Sequence, residues 1–353
     1  MGKKLLVALF ALLVATLASP AAPSAEATPP GHNGRIAFRR FLNADKSWGA
    51  VFTIDPNGSR ERQITHPPQG YVDTNPDVSP DGRRIAFQRE GVDCDVDCAY
   101  HEIFVVNSDG SHLTQLTTQP SPQASCGHEG FCNQSPAWSP DGRRIAFSRA
   151  SGPVEEENMG LYVMAADGSH VRQVTQLVRP GTAADHDPQW SPNGASLVFE
   201  RDNVRSTVPT DGIALWVLNL KSGGERRITA YELRAGDTPD WSPDGRHILF
   251  HDNVDGPPGI SANLYTVRPD GTGLHQLTFA TGGVVQYLGS SYSPDGTMIT
   301  FGRRPATGGT EANAADVFIM RVDGSHERPV TRTDLYDSYP DWGPTPCGLA
   351  HGV

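Results

Sequence analysis

The chain has 353 residues and a formal net charge of −11 at neutral pH. That balance argues against a nucleic-acid or anionic-membrane partner, because both reward clustered lysine and arginine. Its 37 glycines and 29 prolines suit many short strands joined by tight turns.

The chain opens with Lys3 and Lys4, then an apolar run from Leu5 to Leu17, small residues and an Ala25-Glu26-Ala27 triplet. A basic start, an apolar stretch and a small-residue exit are the layout of a secretory signal peptide, here over residues 1–27. The run falls short of the roughly 20 apolar residues that a membrane span needs. Retention as an uncleaved anchor stays open. The expectation is an exported monomer, secreted or periplasmic in a bacterial envelope, with no membrane span in its mature form.

From residue 34 onward the chain repeats. Ser79-Pro80-Asp81-Gly82 recurs at 139–142, 191–194 (with Asn193), 242–245 and 293–296. Each copy precedes a short apolar strand: RIAF at 84–87 and 144–147, SLVF at 196–199, HILF at 247–250 and MITF at 298–301. A sixth RIAF, at 35–38, follows Gly34. The glycines at 34, 82, 142, 194, 245 and 296 are 48, 60, 52, 51 and 51 residues apart. Each unit continues with a strand ending in a turn such as IFVVNSDG (103–110), then a strand ending in threonine such as TQLT (114–117). An approach segment such as SPAWSP (135–140) leads to the next unit.

Asp-Gly and Asn-Gly between apolar strands are hairpin signals, with both central residues expected at positive φ. Four strands repeated about every 50 residues read as a propeller blade. The fold expected is all-β: a six-bladed propeller over residues 28–346, followed by a short tail at 347–353. The last approach strand, PDWG at 340–343, completes the first blade and so closes the ring.

The pattern P-x-W-SPDG-x-x-IAF, an aromatic-Val strand, DGS and a basic-x-Leu-Thr strand resembles the TolB-like, WD-type propeller repeat. The resemblance covers roughly residues 33–344. It implies the architecture; the additional N-terminal α/β domain of TolB is not expected here.

Blade strands alternate in direction, so loops sort onto two faces. The SPDG and DGS turns share one face, and longer, more varied loops share the other, where a rigid scaffold usually carries its function. Two residues after each repeat phenylalanine come Arg40, Arg89, Arg149, Arg201, Asp252 and Arg303. Six before each turn serine, or Gly343 in its place, come Asp73, Asn133, Asp185, Gly236, Tyr287 and Asp337, with Asp237 beside Gly236. These sets are either a ring that recognises a peptide, sugar or cation, or arginines paired with acids or carbonyls of neighbouring blades. Repetition favours pairing. The breaks at Asp252, Tyr287 and Ser290 are stronger ligand candidates than the conforming positions. His186, in the same loops, is a further binding candidate, with an exposed polar loop histidine as the plainer account. The tryptophans at 138, 190, 241 and 342 share a repeat position and are expected to pack between blades. Trp48 lies outside that pattern and is a candidate ligand contact.

The acids at 73, 185, 187, 237 and 337 supply several oxygens for a Ca²⁺ in the central channel, without EF-hand spacing. No zinc spacing is present and no metal ligand set is assigned. Cys94, Cys98, Cys126 and Cys132 read as two disulfides that pin long loops, with Cys94–Cys98 and Cys126–Cys132 the first choice among three connectivities. Cys347 is left over. No G-x-S-x-G elbow occurs. The function expected is a non-catalytic scaffold that binds an envelope or extracellular protein or glycan through the variable face. The alternative is a metal-assisted hydrolase or lyase using the central acids and His186 or His251.

Overall fold

The computed structural model of the chain describes residues 31–91, 100–120, 131–151, 159–175, 183–203, 212–252, 262–281, 285–305 and 314–346. The expected signal peptide and Cys94, Cys98, Cys126 and Cys347 lie outside the described residues. Cys132 is buried and disulfide-bonded, to a partner outside them.

The described residues form strands and no α-helix. The first three are β1 (Asn33–Phe41), β2 (Gly49–Ile54) and β3 (Arg62–Gln63). Next come β4 (Tyr71–Val78), β5 (Arg84–Gly91), β6 (His101–Asn107) and β7 (Thr114–Gln115). A third set is β8 (Phe131–Trp138), β9 (Arg144–Ser151), β10 (Gly160–Ala165) and β11 (Arg172–Gln173). Then follow β12 (Ala184–Trp190), β13 (Ser196–Asp202), β14 (Ala214–Asn219) and β15 (Glu225–Arg227). The fifth set is β16 (Gly236–Trp241), β17 (Ile248–His251), β18 (Leu264–Val267) and β19 (His275–Gln276). The last strands are β20 (Val285–Tyr292), β21 (Met298–Pro305), β22 (Asp316–Arg321), β23 (Arg328–Pro329) and β24 (Tyr336–Pro344).

Each set of four is an antiparallel blade, and β24 pairs with β1 to complete the first (Ile36 opposite Trp342, Arg40 opposite Asp337). Blades one and two share one continuous sheet only through a single parallel bridge, Gly49 to Val72. The chain is a six-bladed propeller, with β4, β8, β12, β16, β20 and β24 lining the channel.

The turns differ from expectation in one respect. Gly82 has φ of +70° and its N–H bonds the Ser79 carbonyl at 2.8 Å, but Asp81 does not have positive φ. Pro80 locks its own φ near −65°, so the turn takes ordinary central conformations and places the left-handed residue last. The Ser79 hydroxyl accepts the Arg84 N–H at 2.9 Å and donates to Asp81 at 2.6 Å. This explains why serine, proline, aspartate and glycine recur in that order.

The threonine that ends each outer strand has a matching role. Thr65, Thr117, Thr175, Thr229, Thr278 and Thr331 each accept a backbone N–H from the neighbouring strand at 2.9 Å through the side-chain oxygen. A hydroxyl therefore substitutes for a ladder bond where the outer strand is too short to supply one.

The core lies between blades. Phe38, Phe87, Phe147, Phe199, Phe250 and Phe301 are all fully buried. Trp138 packs with Ala86 and Ile103 of the second blade and Ile145 of its own. Trp190 packs on Ala137 and Ala146, and Trp342 on Val317 and Ile319 of the sixth blade. The repeat tryptophans are thus blade-to-blade packing residues.

Candidate functional site at the channel mouth

Every innermost strand is kinked where it lines the channel. The pairing of β4 with β5 slips between Thr74 and Asp77, and equivalent slips occur in the other inner strands. Asn75, Ser135, Asp187, Thr238 and Tyr339 take φ between +47° and +55° at these slips, and Gly289 takes +71°. A β-branched or bulky residue at positive φ is an outlier, and such strain collects at working surfaces. The bulges turn side chains into a narrow channel of about 60 Å³.

The repeat's own charges are consumed inside the blades. Arg89 grips Asp73 at 2.6 and 2.9 Å, Arg201 grips Asp185 at the same two distances, and Arg40 grips Asp337 at 2.6 and 2.7 Å. Glu61 and Glu225 complete the Arg40 and Arg201 pairs. Arg149 donates instead to Asn133 at 2.7 Å. The pairing is within a blade, not between neighbours, because each arginine sits opposite its acid in the antiparallel register. The other candidates are also engaged. Tyr287 is buried against Phe301, Asp252 accepts the Asn263 N–H at 2.6 Å, and Trp48 donates to the Pro67 carbonyl at 3.1 Å. His186 stays half-buried beside Asp187.

Deeper in the channel, three carboxylates tie blades together. Asp77 accepts the Trp138 N–H, Asp240 the Tyr292 N–H and Asp341 the Val78 N–H, at 2.9, 2.7 and 2.7 Å. Burial raises the pKa of all three, and the Asp341 charge adds to it at Asp77 and Asp240, taking Asp240 to about 7.

Above them the mouth departs from repetition. Glu200 is buried and accepts the Asp237 N–H at 2.6 Å, and Asp237 holds His251 Nε2 at 2.9 Å. Burial, then Asp187, pushes the Glu200 carboxyl well above its ordinary range. Burial alone would lower His251, but the Asp237 carboxylate outweighs it and raises its pKa. On the other side stand Arg39, Lys46 and Arg304. Arg39 bonds Ser338 and Thr74 and stacks on Phe41 and Tyr339 with its guanidinium carbon 4.4 and 4.6 Å from the ring centres. Lys46 Nζ lies 3.7 Å from the centre of the Tyr336 ring.

A family model described as the TolB beta propeller domain matches residues 122–345. The chain belongs to the TolB beta-propeller family. The family's propeller is also what the solved structure of TolB from Acinetobacter baumannii shares with it: TM-score 0.64 at 18% identity, over 88% of this chain and 67% of that one. An uncharacterized protein of Agrobacterium fabrum is 26% identical over 275 residues, 76% of this chain and 80% of that protein. The oligogalacturonide lyase of Pectobacterium atrosepticum is 28% identical over 204 residues, and the match spans 46% of the lyase.

Within this TolB-type propeller, reading the repeat singled out the Arg–Asp ladder and His251. It missed Arg39, Lys46, Arg304 and Glu200 as site residues, and the strained bulge positions. The one available signal was that position 39, 88, 148, 200, 251 and 302, one after each repeat phenylalanine, holds six different residue types. Among the described residues, no group of three His, Cys, Asp or Glu side chains is placed to hold a metal ion.

Proposed function

We propose that this propeller is an exported, non-catalytic scaffold that binds a polypeptide at its channel mouth. The observation that carries the reading is how the charges divide. Those shared by the blades satisfy one another inside the blades, while the unshared ones gather at the mouth of one channel. A set of charged and aromatic side chains around a preformed concavity, with no activated nucleophile among the described residues, is suited to recognition. Lys3, Lys4 and the apolar run to Leu17 support export to the envelope or the medium.

Photo-crosslinking tests this. A benzophenone amino acid at exposed position 44, in the loop beside the mouth, is expected to capture a polypeptide from the producing cell's envelope or medium. The same group at position 109, in a turn on the opposite face, is expected to capture none. Equal capture at both positions, or none at 44, overturns the reading.

A second reading, a lyase or hydrolase, is favoured by the His251–Asp237 pair at 2.9 Å beside the buried Glu200. A carboxylate-oriented imidazole is the form of a general base. This reading expects turnover of an oligouronide or ester, with or without added Ca²⁺, that disappears in His251→Gln. No turnover by the intact chain under either condition removes it.

A further inference from the structure

The mouth is polarised across its diameter. Arg39 and Lys46 belong to the first blade and Arg304 to the sixth, its neighbour in the ring. Glu200 and Asp187 belong to the fourth blade, which a six-membered ring places directly opposite the first, and Asp237 to the fifth. The second blade, next to the first, carries Gln88 hydrogen-bonded to Glu90 and His101 at 3.1 and 3.2 Å.

The cationic wall has one acid nearby, Glu90 of the second blade, whose carboxyl burial pushes up and the Arg39 charge pulls down, but this acid is not bonded to the wall. Among the described residues, none of Arg39, Lys46 and Arg304 is in an ion pair, although the chain carries a net charge of −11. The three lie close enough that Arg304 and Arg39 add to burial in lowering the Lys46 pKa. Gathering like charges on a half-buried surface is unfavourable unless an anion completes it. A separate observation points to an occupant of the channel. Ser290 is only 4% exposed, lines the channel beside Thr238, and its hydroxyl has no hydrogen-bond partner. A buried hydroxyl left unpaired costs free energy that a ligand donor or acceptor would recover.

We propose that the mouth seats a dipolar polypeptide segment, one carboxylate held by Arg39, Lys46 and Arg304 and a cationic group facing Asp187 and Asp237. This rests on the polypeptide-binding reading above. A segment bearing both signs satisfies both walls at once. A polyuronate would satisfy the first and be repelled by the second, so the acidic wall favours peptide over anionic glycan.

The test is to pan a phage-displayed random dodecapeptide library on the intact protein, then titrate the selected synthetic peptides and trigalacturonate against it and two variants. Lys46→Glu is the main variant, since the Lys46 side chain makes no hydrogen bond or ion pair among the described residues. Its replacement forfeits only its contacts with the Tyr336 and Phe41 rings, so the thermal midpoint should shift little. Asp187→Asn probes the other wall. The expected result is peptides that contain both an acidic and a basic residue. They should weaken about fivefold on Lys46→Glu and about threefold on Asp187→Asn, the range for partly exposed charge pairs. Trigalacturonate should bind more weakly than the peptides. Peptides that bind both variants as tightly as the intact protein overturn this inference while leaving polypeptide binding intact, as does tighter binding of trigalacturonate. If panning selects nothing, the polypeptide-binding reading falls, and this inference with it.

Discussion

The Asp77 carboxylate, in the second blade, accepts the backbone N–H of Trp138 in the third at 2.9 Å. The same bond recurs from Asp240 to Tyr292 and from Asp341 to Val78. A side chain of one inner strand thereby satisfies a donor of the next, so these acids serve the ring before they serve a ligand. Gln189 Nε2 adds a further contact to Asp77 at 3.2 Å from the fourth blade.

Asp77→Ala strands the Trp138 N–H in a buried site, a loss of about 1–3 kcal/mol. Because burial and Asp341 already push the Asp77 carboxyl well above its ordinary range, Asp77→Asn preserves the acceptor at little cost. Urea titration should rank the two variants in that order, and equal stabilities would remove the inter-blade role.

The pKa of Asp240, raised to about 7 mainly by burial, sets a pH dependence. Between roughly pH 4 and 7 the folded state holds a proton that the unfolded chain has released, so stability falls as pH rises through that window. One proton corresponds to at most about 1.4 kcal/mol per pH unit. The raised His251 acts in the same direction, its contribution fading as pH climbs past its folded pKa. Asp240→Asn should flatten the slope below pH 7 in thermal melts recorded from pH 4 to 8. An unchanged slope would place the titration elsewhere.

The buried pair of Arg89 and Asp73 makes a third case. Removing one partner, as in Asp73→Ala, leaves an uncompensated buried charge and should cost about 3–5 kcal/mol. Replacing both, as Asp73→Leu with Arg89→Met, should recover most of that loss, because the pair's desolvation penalty disappears with it. A double variant as unstable as the single would show that the ion pair itself is a net stabiliser.

Thr238, β-branched and at φ of +55°, carries backbone strain just above the channel floor. Thr238→Gly relieves it and should stabilise the propeller by about 0.5–1 kcal/mol, the gain at left-handed sites being partly offset by unfolded-chain entropy. A lower denaturation midpoint would mean that the Thr238 hydroxyl, which accepts the Ser290 N–H at 3.4 Å, outweighs the strain.

The sequence by itself determined the strands, their order and the closure of the ring by the last strand. Each of those rests on residues at fixed short offsets: Ser79 with Gly82 and Arg84, Thr117 with the strand it caps, the phenylalanine that recurs every 50 or so residues. It also placed Arg89 and Asp73 at matching repeat positions, though not their pairing within one blade, which antiparallel register imposes. Tertiary structure alone decided the mouth. The residues that adopt positive φ at the bulges, among them Asn75, Asp187, Thr238 and Tyr339, share no residue type, because the slip in pairing forces the conformation and local propensity does not. Arg39 and Arg304 are 265 positions apart in the chain, and only ring closure makes them neighbours. The same closure sets Asp187 across from Lys46, so the polarity of the site belongs to the circle and to no segment of it.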